Sequence, residues 1–452
     1  MKKEKKRNID LTEGTIWKLI LVYCLPILAG NLFQQLYTTV DAVILGQFAG
    51  KTGLAAIDSV YSLLKLPVNF FIGLSTGVTI LISQYFGAKD EESLSRAVHT
   101  GVGFAVAGGI LLSAAGMAFA PQCLTAMQVP DEIRELALAY VRIYFGGLFL
   151  NLLFSIGSGI LRAVGDSRTP FYVLIIAGVV NIILDLVFVA QLKLNAAGAA
   201  LATVFSQGLS AVLIIRTLAK ADAGCRFEFV RLSFDRTVLK NIFRVGLPIG
   251  FQSALFPIAN MMVQSAINRT GTDNIAAWAL CGKLDLIIWL AADSLTAAIS
   301  TFVAQNYGSK DYGRCRSGVR IGTGMTVGIV ILFSAVLYVW SEPLGRLFIN
   351  AKDGNIAEIA GRIMRVIAPA YFLYVFGEAF SGAIRGTGKS FMPMLIALLT
   401  TCAPRILWIV LAVPRSEDIL RILGCYPASW AITAAVFIIY YQFYRRKVLP
   451  AG

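Results

Sequence analysis

Charged side chains are scarce in this chain. Asp, Glu, Lys and Arg together make up 15% of its 452 residues, whereas 57% of the residues are hydrophobic. A soluble domain usually has about a quarter of its residues charged. Apolar stretches of about 20 residues, enough to cross a bilayer, recur along nearly the whole chain. Because lipid offers the backbone no hydrogen-bond partners, we predict that these stretches are helices; the lack of strand-like alternation argues against a β-barrel.

Side chains that build metal centres and enzyme sites are also sparse. The single histidine excludes a multi-histidine metal centre, and we predict that this residue, His99, lies in a solvated loop. The seven cysteines are scattered without a CxxC pair, which indicates free thiols. Residues 383–390 nearly match a phosphate-binding loop, but Ala383 stands where the motif requires glycine, and the segment follows a membrane span. We therefore expect no cofactor and no use of ATP.

Twelve predicted membrane spans account for most of the chain. They lie near residues 16–46, 53–83, 98–119, 135–162, 170–190, 195–219, 240–268, 274–304, 318–340, 357–384, 391–412 and 418–444. The loops on the side of the termini hold 26 of the 40 Lys and Arg residues, and the opposite loops hold 10. By the positive-inside rule, both termini of this cytoplasmic-membrane protein should be cytoplasmic. The net charge of +14 is then an orientation signal, so no nucleic-acid partner is expected.

Short motifs recur in the two halves of the chain at a nearly constant offset. Residues 25–27 (LPI) recur 222 positions later, residues 84–90 (QYFGAKD) recur 221 later as QNYGSKD, and residues 161–165 (LRAVG) recur 223 later as IRGTG. Six spans lie in each half, so the repeats share one orientation, which implies a pseudo-twofold axis along the membrane normal. We predict an all-α protein of two six-helix bundles, 1–219 and 238–452, joined by a cytoplasmic loop at 220–237.

The same motifs resemble those of the multidrug and toxic compound extrusion family. The similarity covers residues 26–394 and includes the LPI motif followed by Asp41, the segment 159–170 and the segment 302–308. It implies a V-shaped pair of lobes that exports organic, often cationic, compounds in exchange for H⁺ or Na⁺. It also implies a prokaryotic member closer to the DinF-like branch, because Phe256 stands on the seventh helix where other members carry an acid.

Four oxygen-bearing side chains lie at similar predicted depth near the outer ends of helices 1, 5 and 6. They are Asp41, Asn181, Asp185 and Thr203, and by motif position they are similar to the N-lobe cation site of that family. A polar network that only joins helices is the alternative, but two membrane-embedded carboxylates are a costly means of doing so. We predict a site for H⁺, or for Na⁺ at Asp41 and Asp185, with no other metal. Lys65 could instead be a fixed counter-ion of one acid.

Further polar residues within the spans are candidates for a substrate cleft, with structural pairing as the alternative. They are Gln34, Tyr37, Gln252, Asn260, Gln264, Asp293 and Glu378.

The predicted function is secondary active antiport of organic, cationic or amphiphilic compounds against H⁺ or Na⁺. A lipid-linked oligosaccharide flippase of the same superfamily is the alternative, although flippases tend to have a more basic cleft than the mostly acidic charge here. An intramembrane enzyme is a more remote alternative, because no Gly-x-Gly-Asp stretch frames either acid. The expected partners are small organic substrates and membrane lipid, and we expect a monomer.

Overall fold

The computed structural model describes residues 9–222, 224–349, 354–412 and 418–450, and within these ranges the chain is helical without any strand. The first half contains α1 (Ile16–Phe48), α2 (Gly50–Gly87), α3 (Glu91–Ala126), α4 (Asp131–Ala163), α5 (Arg168–Asp185) and α6 (Asn195–Ala219). The second half contains α7 (Arg236–Ile267), α8 (Thr272–Leu284), α9 (Leu286–Gly308), α10 (Tyr312–Arg346), α11 (Gly354–Ile367), α12 (Tyr371–Gly386), α13 (Phe391–Ala397), α14 (Ala403–Ala412), α15 (Ile419–Leu423) and α16 (Cys425–Val448). The described ranges also contain four short helices of other types: π-helices at Leu186–Gln191 and Leu398–Cys402, and 3₁₀-helices at Phe229–Arg231 and Ala368–Ala370.

Twelve helical runs in the described ranges are long and apolar enough to cross a membrane, which confirms the predicted number. Several helices are longer than their predicted spans, because hydropathy marks only the part of a helix that lies in lipid. The third predicted span, 98–119, lies within a helix that runs from Glu91 to Ala126. The eighth, 274–304, corresponds to two helices, α8 and α9, that meet at Asp285.

The repeated motif at residues 84–90 and 305–311 forms the same turn in both halves. Lys89 and Lys310 have left-handed φ angles of 54° and 62°. The next residues, Asp90 and Asp311, are the N-caps of α3 and α10, where each carboxylate accepts a backbone N–H three residues ahead, at 3.0 and 2.8 Å. A carboxylate at this position satisfies a free N–H group of the first turn. The motif thus encodes the end of one helix and the start of the next.

The second repeated motif ends in a glycine that its turn requires. Gly165 and Gly388 have φ angles of 91° and 84°, a region that side chains disfavour. The Gly165 carbonyl accepts the N–H of Ile9 at 3.2 Å. A Cβ atom on Gly165 would lie 2.1 Å from the Ile9 carbonyl oxygen, so glycine is also needed to admit the N-terminal segment.

The described residues pack into two compact units whose limits lie within helices α1 and α7. The first unit comprises the residues up to Asp10 together with Leu25–Gly250, and the second comprises Leu11–Cys24 together with the residues from Phe251 onward. The sequence predicted a boundary in the loop 220–237. That loop separates the two sets of helices along the chain, whereas packing assigns the beginning of α7 to the first unit and the beginning of α1 to the second.

Glycine contacts explain why α7 begins within the first unit. A Cβ atom on Gly73 of α2 would lie 2.4 Å from the backbone nitrogen of Gly250, and one on Gly77 would lie 2.6 Å from the Cα atom of Gly246. Two pairs of facing glycines therefore let the α2 and α7 backbones touch.

Hydrogen bonds hold Leu11 and the beginning of α1 in the second unit. Gln305 and Asn306, which belong to the repeated motif, are fully buried. The Gln305 side-chain oxygen accepts the N–H of Leu11, and the Asn306 amide donates to the Leu11 carbonyl, both at 3.1 Å. On α1, the Tyr23 hydroxyl lies 3.4 Å from the Thr301 hydroxyl of α9.

Candidate functional site

Helix α5 lies directly against the second part of α1 because a glycine stands at their contact. A Cβ atom on Gly178 would lie 2.6 Å from a ring carbon of Phe33 and 3.2 Å from one of Tyr37. A second contact lies at Gly30 of α1, where an added Cβ atom would lie 3.6 Å from a ring carbon of Phe171. The missing side chains allow the two helices to approach closely.

This approach brings Asp41 of α1 next to Asn181 and Asp185 of α5. With its amide nitrogen turned toward α1, Asn181 lies 3.1 and 3.2 Å from the two carboxyl oxygens of Asp41 and donates to them. The opposite amide orientation would set oxygen against oxygen. The carboxyl group of Asp185 lies close enough to that of Asp41 for the two to interact electrostatically. The structure thus joins three of the four predicted coupling residues.

The two carboxyl groups can lie this close together favourably only if their negative charge is reduced or balanced. Asn181 and Asp185 are each only 2% exposed, and neither Asp185 oxygen accepts a hydrogen bond from an N–H or O–H group of the described residues. Two ionised carboxylates that lie close together repel strongly in a medium of low dielectric constant. The pair is favourable when the carboxyl groups share a proton or bind a cation together.

The structure does not bring Thr203 and Lys65 into this hydrogen-bonded group. The Thr203 hydroxyl donates to the Ala199 carbonyl of its own helix at 2.9 Å. The Lys65 ammonium lies 4.4 Å from the centroid of the Tyr61 ring. The ion pairs among the described residues do not include Lys65. The counter-ion role considered for Lys65 is therefore not realised in this structure.

Two tyrosines of α4 stand near the acids, and the sequence analysis did not single them out. The rings of Tyr140 and Tyr144 are stacked with their centroids 6.1 Å apart. Tyr140 lies within electrostatic range of both Asp41 and Asp185, and Tyr144 lies near Gln207. Their spacing of four residues places them on one face of α4. That spacing is common on any helix face, so the sequence carried no specific signal.

The polar residues predicted for a substrate cleft belong to both units: Gln34 and Tyr37 lie in the first unit, and the others lie in the second. Gln34 is exposed, and Tyr37 is half-buried near the candidate ion site. Gln252 is 5% exposed, and its side-chain oxygen has no hydrogen-bond partner among the described residues. The Gln264 amide donates to Asn268, one turn further along α7, at 2.9 Å.

Asp293 and Glu378 form a second acidic group, which lies in the second unit. Asp293 of α9 lies near Tyr374 of α12 and within electrostatic range of Glu378, one turn beyond that tyrosine, and of Arg385. A carboxylate oxygen of Glu378 is 3.9 Å from a guanidinium nitrogen of Arg385. Asp293 is exposed, and the ion pairs among the described residues do not include it.

Arg405 is a buried cation whose described partners are all neutral. It is 5% exposed and donates to Asn260 at 2.9 Å and to Ser429 at 3.1 Å. Its guanidinium also lies 4.5 Å from the centroid of the Tyr426 ring. Asn260, which was predicted to line a cleft, is therefore held by this arginine. A membrane-embedded cation of this kind is costly and commonly has a function.

The prediction that His99 lies in a solvated loop is wrong. His99 is 3% exposed and lies within α3. Its Nδ1 atom is 2.8 Å from the Ser95 carbonyl, and its Nε2 atom accepts the N–H of Glu228 at 3.1 Å. The helix starts at Glu91 and not near residue 98, and the segment before α7 folds over the histidine. The Asp90 cap followed by Glu91 was a signal for this earlier start.

These features define a multi-pass α-helical membrane protein with a pair of acids in contact inside one of its two units. The MatE family model matches residues 26–187 and matches again at residues 248–411. The chain therefore belongs to the MatE family of multidrug efflux transporters. The two matched segments start 222 residues apart, which agrees with the repeat found in the sequence.

Known proteins similar to this chain cover nearly all of it. The probable multidrug resistance protein YoeA of Bacillus subtilis is 28% identical over 444 residues, 96% of each chain. A FAD transporter of Shewanella oneidensis is 23% identical over 426 residues, 90% of each chain. A crystal structure of a MATE protein in complex with MaL6 superposes with a TM-score of 0.92 at 20% identity, covering 99% of this chain and 100% of the other. At that identity the structural similarity establishes the fold.

Proposed function

We propose that this chain is a secondary active antiporter that exports organic, cationic or amphiphilic compounds in exchange for H⁺ or Na⁺. The observation that carries the proposal is the close approach of the half-buried Asp41 to the buried Asp185, with Asn181 donating to the Asp41 carboxyl group. Membership of a multidrug efflux family supports export as the activity. We further propose that the protein works as a monomer in the cytoplasmic membrane, with both termini in the cytoplasm.

Coupling follows from how a proton or Na⁺ changes the interaction between α1 and α5. With the ion bound, Asp41 and Asp185 attract through it, and the helices stay in contact at Gly178. Once the ion leaves, the two carboxylates repel, and that contact weakens. The ion can drive transport only by binding the two states of the protein with different affinities. The dependence of the carboxyl contact on a bound ion supplies that difference.

The end of α5 next to Asp185 is suited to such a change. Asp185 is the last residue of α5, and the π-helical segment Leu186–Gln191 follows it directly. π-helical turns are frequent at functional sites. If Asp185 shifts, the backbone hydrogen bonds of residues 186–191 can rearrange, because they already differ from those of a regular α-helix.

A cationic substrate fits the acidic group of the second unit. Asp293 is exposed and belongs to no ion pair of the described residues, whereas Glu378 is partly neutralised by Arg385 at 3.9 Å. We expect Asp293 to contribute more than Glu378 to binding a positively charged compound.

A second candidate substrate class is compounds that carry an anionic group. Arg405 favours this class, because its described partners are neutral and a guanidinium binds carboxylate or phosphate groups well. The Shewanella relative is a transporter of FAD, which bears phosphate groups. Competition of a cationic and an anionic compound against one transported dye, in wild type and Arg405→Gln, separates the two classes.

The test of the proposed function is dye efflux from proteoliposomes with a proton gradient or a sodium gradient imposed separately. Asp41→Asn and Asp185→Asn should each insert and fold, because an amide is cheaper than a carboxylate in lipid. Both should abolish gradient-driven efflux and leave dye binding largely intact. Asp285→Asn is the control: Asp285 is also buried, but it accepts a hydrogen bond from the Tyr371 hydroxyl at 2.5 Å.

The control should lose stability and keep its gradient dependence. Normal gradient-driven efflux by the Asp41→Asn, Asp185→Asn double variant would contradict the coupling role. Movement of a lipid-linked sugar without any efflux of dye would instead favour a flippase.

A further inference from the structure

The segment between α6 and α7, residues 227–235, is fixed to the side of α3. Phe227 is 2% exposed, and its ring centroid lies 5.4 Å from that of His99. A hydrogen bond holds the segment near each of its ends. His99 accepts the N–H of Glu228 at 3.1 Å, and the Thr100 hydroxyl accepts the N–H of Asp235 at 3.2 Å. Both bonds join side chains of α3 to the backbone of the segment, so they hold the segment against α3.

The contacts with α3 show how far the segment extends along the membrane-spanning part of that helix. Arg96 is the last charged residue of α3, because residues 97–126 include no Asp, Glu, Lys or Arg. The segment binds Thr100, four residues beyond Arg96, and the Phe234 ring lies 3.3 Å from the Cβ position of Gly103, seven residues beyond it. At a rise of 1.5 Å per residue, these contacts lie about 6 and about 10 Å past the last charge.

Four large apolar side chains of this segment remain exposed, although the Phe234 ring also packs against Gly103 of α3. The exposed fractions are 71% for Phe229, 98% for Val230, 45% for Leu232 and 52% for Phe234. Four large exposed apolar side chains within residues 229–234 are a grouping that can mark a binding surface. Arg226 and Arg231 stand beside these side chains and are 57% and 70% exposed, and both pair with Glu228, at 3.5 and 3.0 Å. The three side chains together carry one net positive charge.

We propose that residues 227–235 are an interfacial membrane anchor, whose four apolar side chains enter the boundary between lipid headgroups and acyl chains. Interfacial segments bury their apolar faces about 5–10 Å deep, which matches the depth along α3. The exposed guanidinium groups of Arg226 and Arg231 complement the lipid phosphates that lie at this level. Lipid is the occupant favoured over a soluble partner, because the apolar side chains lie beside the uncharged part of a membrane-spanning helix.

The test places an environment-sensitive fluorophore, NBD, on Val230→Cys in proteoliposomes. The matched control is Glu92→Cys, in the first turn of α3 and about 6 Å outside Arg96, where the side chain is 82% exposed. Cys123, which is partly exposed, is replaced by serine in both. Cys225 is buried, and burial raises the pKa of its thiol to about 12, so it should not react with the label.

At position 230 we expect emission at shorter wavelength than at position 92, together with quenching by nitroxide-labelled lipid and little quenching by iodide. At position 92 we expect the reverse preference for the two quenchers. Iodide quenching at position 230 equal to that at 92 would overturn the proposal, because the segment would then lie in water. Protection of position 230 from both quenchers would also overturn it, because a protein surface would then cover the segment.

Discussion

The neighbours of a buried acid determine what that acid can do. Asp285 and Asp185 are 5% and 2% exposed, so burial does not distinguish them. Asp285 accepts a hydrogen bond from Tyr371, which stabilises its charge locally. Asp185 meets the carboxyl group of Asp41 instead, so its favourable state depends on an ion that can come and go. This dependence makes Asp185 a better candidate than Asp285 for a coupling residue.

The sequence could predict the depth of the coupling residues but not all of their contacts. Counting residues along the helices predicted that Asp41, Asn181 and Asp185 lie at similar depths in the membrane. Their actual contact depends on which faces of α1 and α5 meet, and Gly178 controls that approach. Thr203 was predicted at a similar depth, but its hydroxyl donates to its own helix. Depth follows from residue number, whereas side-chain direction depends on packing between helices.

Gly178→Ala should weaken coupled transport without changing any charged residue. The added Cβ would lie 2.6 Å from a ring carbon of Phe33, so the ring must move or α5 must shift away from α1. Overpacking of this kind costs roughly 1–3 kcal/mol of stability. We expect a lower unfolding temperature and slower gradient-driven efflux in the proteoliposome assay. The control is Gly324→Ala on α10, whose Cβ would meet no atom within 4 Å.

The control should be at least as stable as the wild type, because alanine favours a helix more than glycine does. If Gly178→Ala transported dye at the wild-type rate, the close contact between α1 and α5 would not be required for coupling.

The helices themselves were largely predictable, and the exceptions have local causes. Continuous apolar stretches predict α6 to the residue, because it starts and ends at the limits of its hydropathy signal. The break between α8 and α9 was missed because the apolar pattern continues across Asp285. The two π-helical segments were also missed, since a change in backbone hydrogen bonding leaves no mark on hydropathy.

Acid should remove the contribution of the Asp90 cap to the stability of α3. The N–H of Ser93 donates to the Asp90 carboxylate, and this hydrogen bond holds the pKa of that carboxyl below its usual value. A carboxyl group whose pKa is lower in the folded state stabilises the protein above its unfolded pKa, about 3.9 for Asp. That stabilisation is lost as the pH falls through the lower, folded pKa.

The measurement is the unfolding temperature of the detergent-solubilised protein as a function of pH. Asp90→Asn is the matched variant, because asparagine is also a good N-cap and does not titrate. The difference between wild type and Asp90→Asn should be constant at neutral pH and should change only below about pH 4. A difference that changed mainly between pH 6 and pH 8 would show that another group is responsible. Asp90→Ala should cost about 1 kcal/mol at neutral pH.

At the scale of the whole molecule, α1 connects the proposed coupling site to both compact units. Its residues up to Cys24 pack in the second unit, and its residues from Leu25 pack in the first, where Asp41 lies. The helix is continuous from Ile16 to Phe48 and contains Pro26 just beyond this division. A proline within a helix removes one backbone hydrogen bond and favours bending. A change at Asp41 therefore acts on a helix that belongs to both units.

The orientation of the whole molecule is predicted from charge. It can be tested with two cysteines, one in the first turn of α3 and one in the first turn of α4. Glu92 lies in the first turn of α3 and Asp131 in the first turn of α4, with side chains 82% and 97% exposed. Loops on the side of Glu92 belong to the set that holds 26 of the 40 basic residues. Because basic loops are retained in the cytoplasm, we expect Glu92→Cys to be cytoplasmic and Asp131→Cys to be external. In intact cells, a membrane-impermeant maleimide should label Asp131→Cys alone, and inverted vesicles should give the opposite result. Labelling of Glu92→Cys in intact cells, with Asp131→Cys protected, would reverse the predicted orientation and place both termini outside.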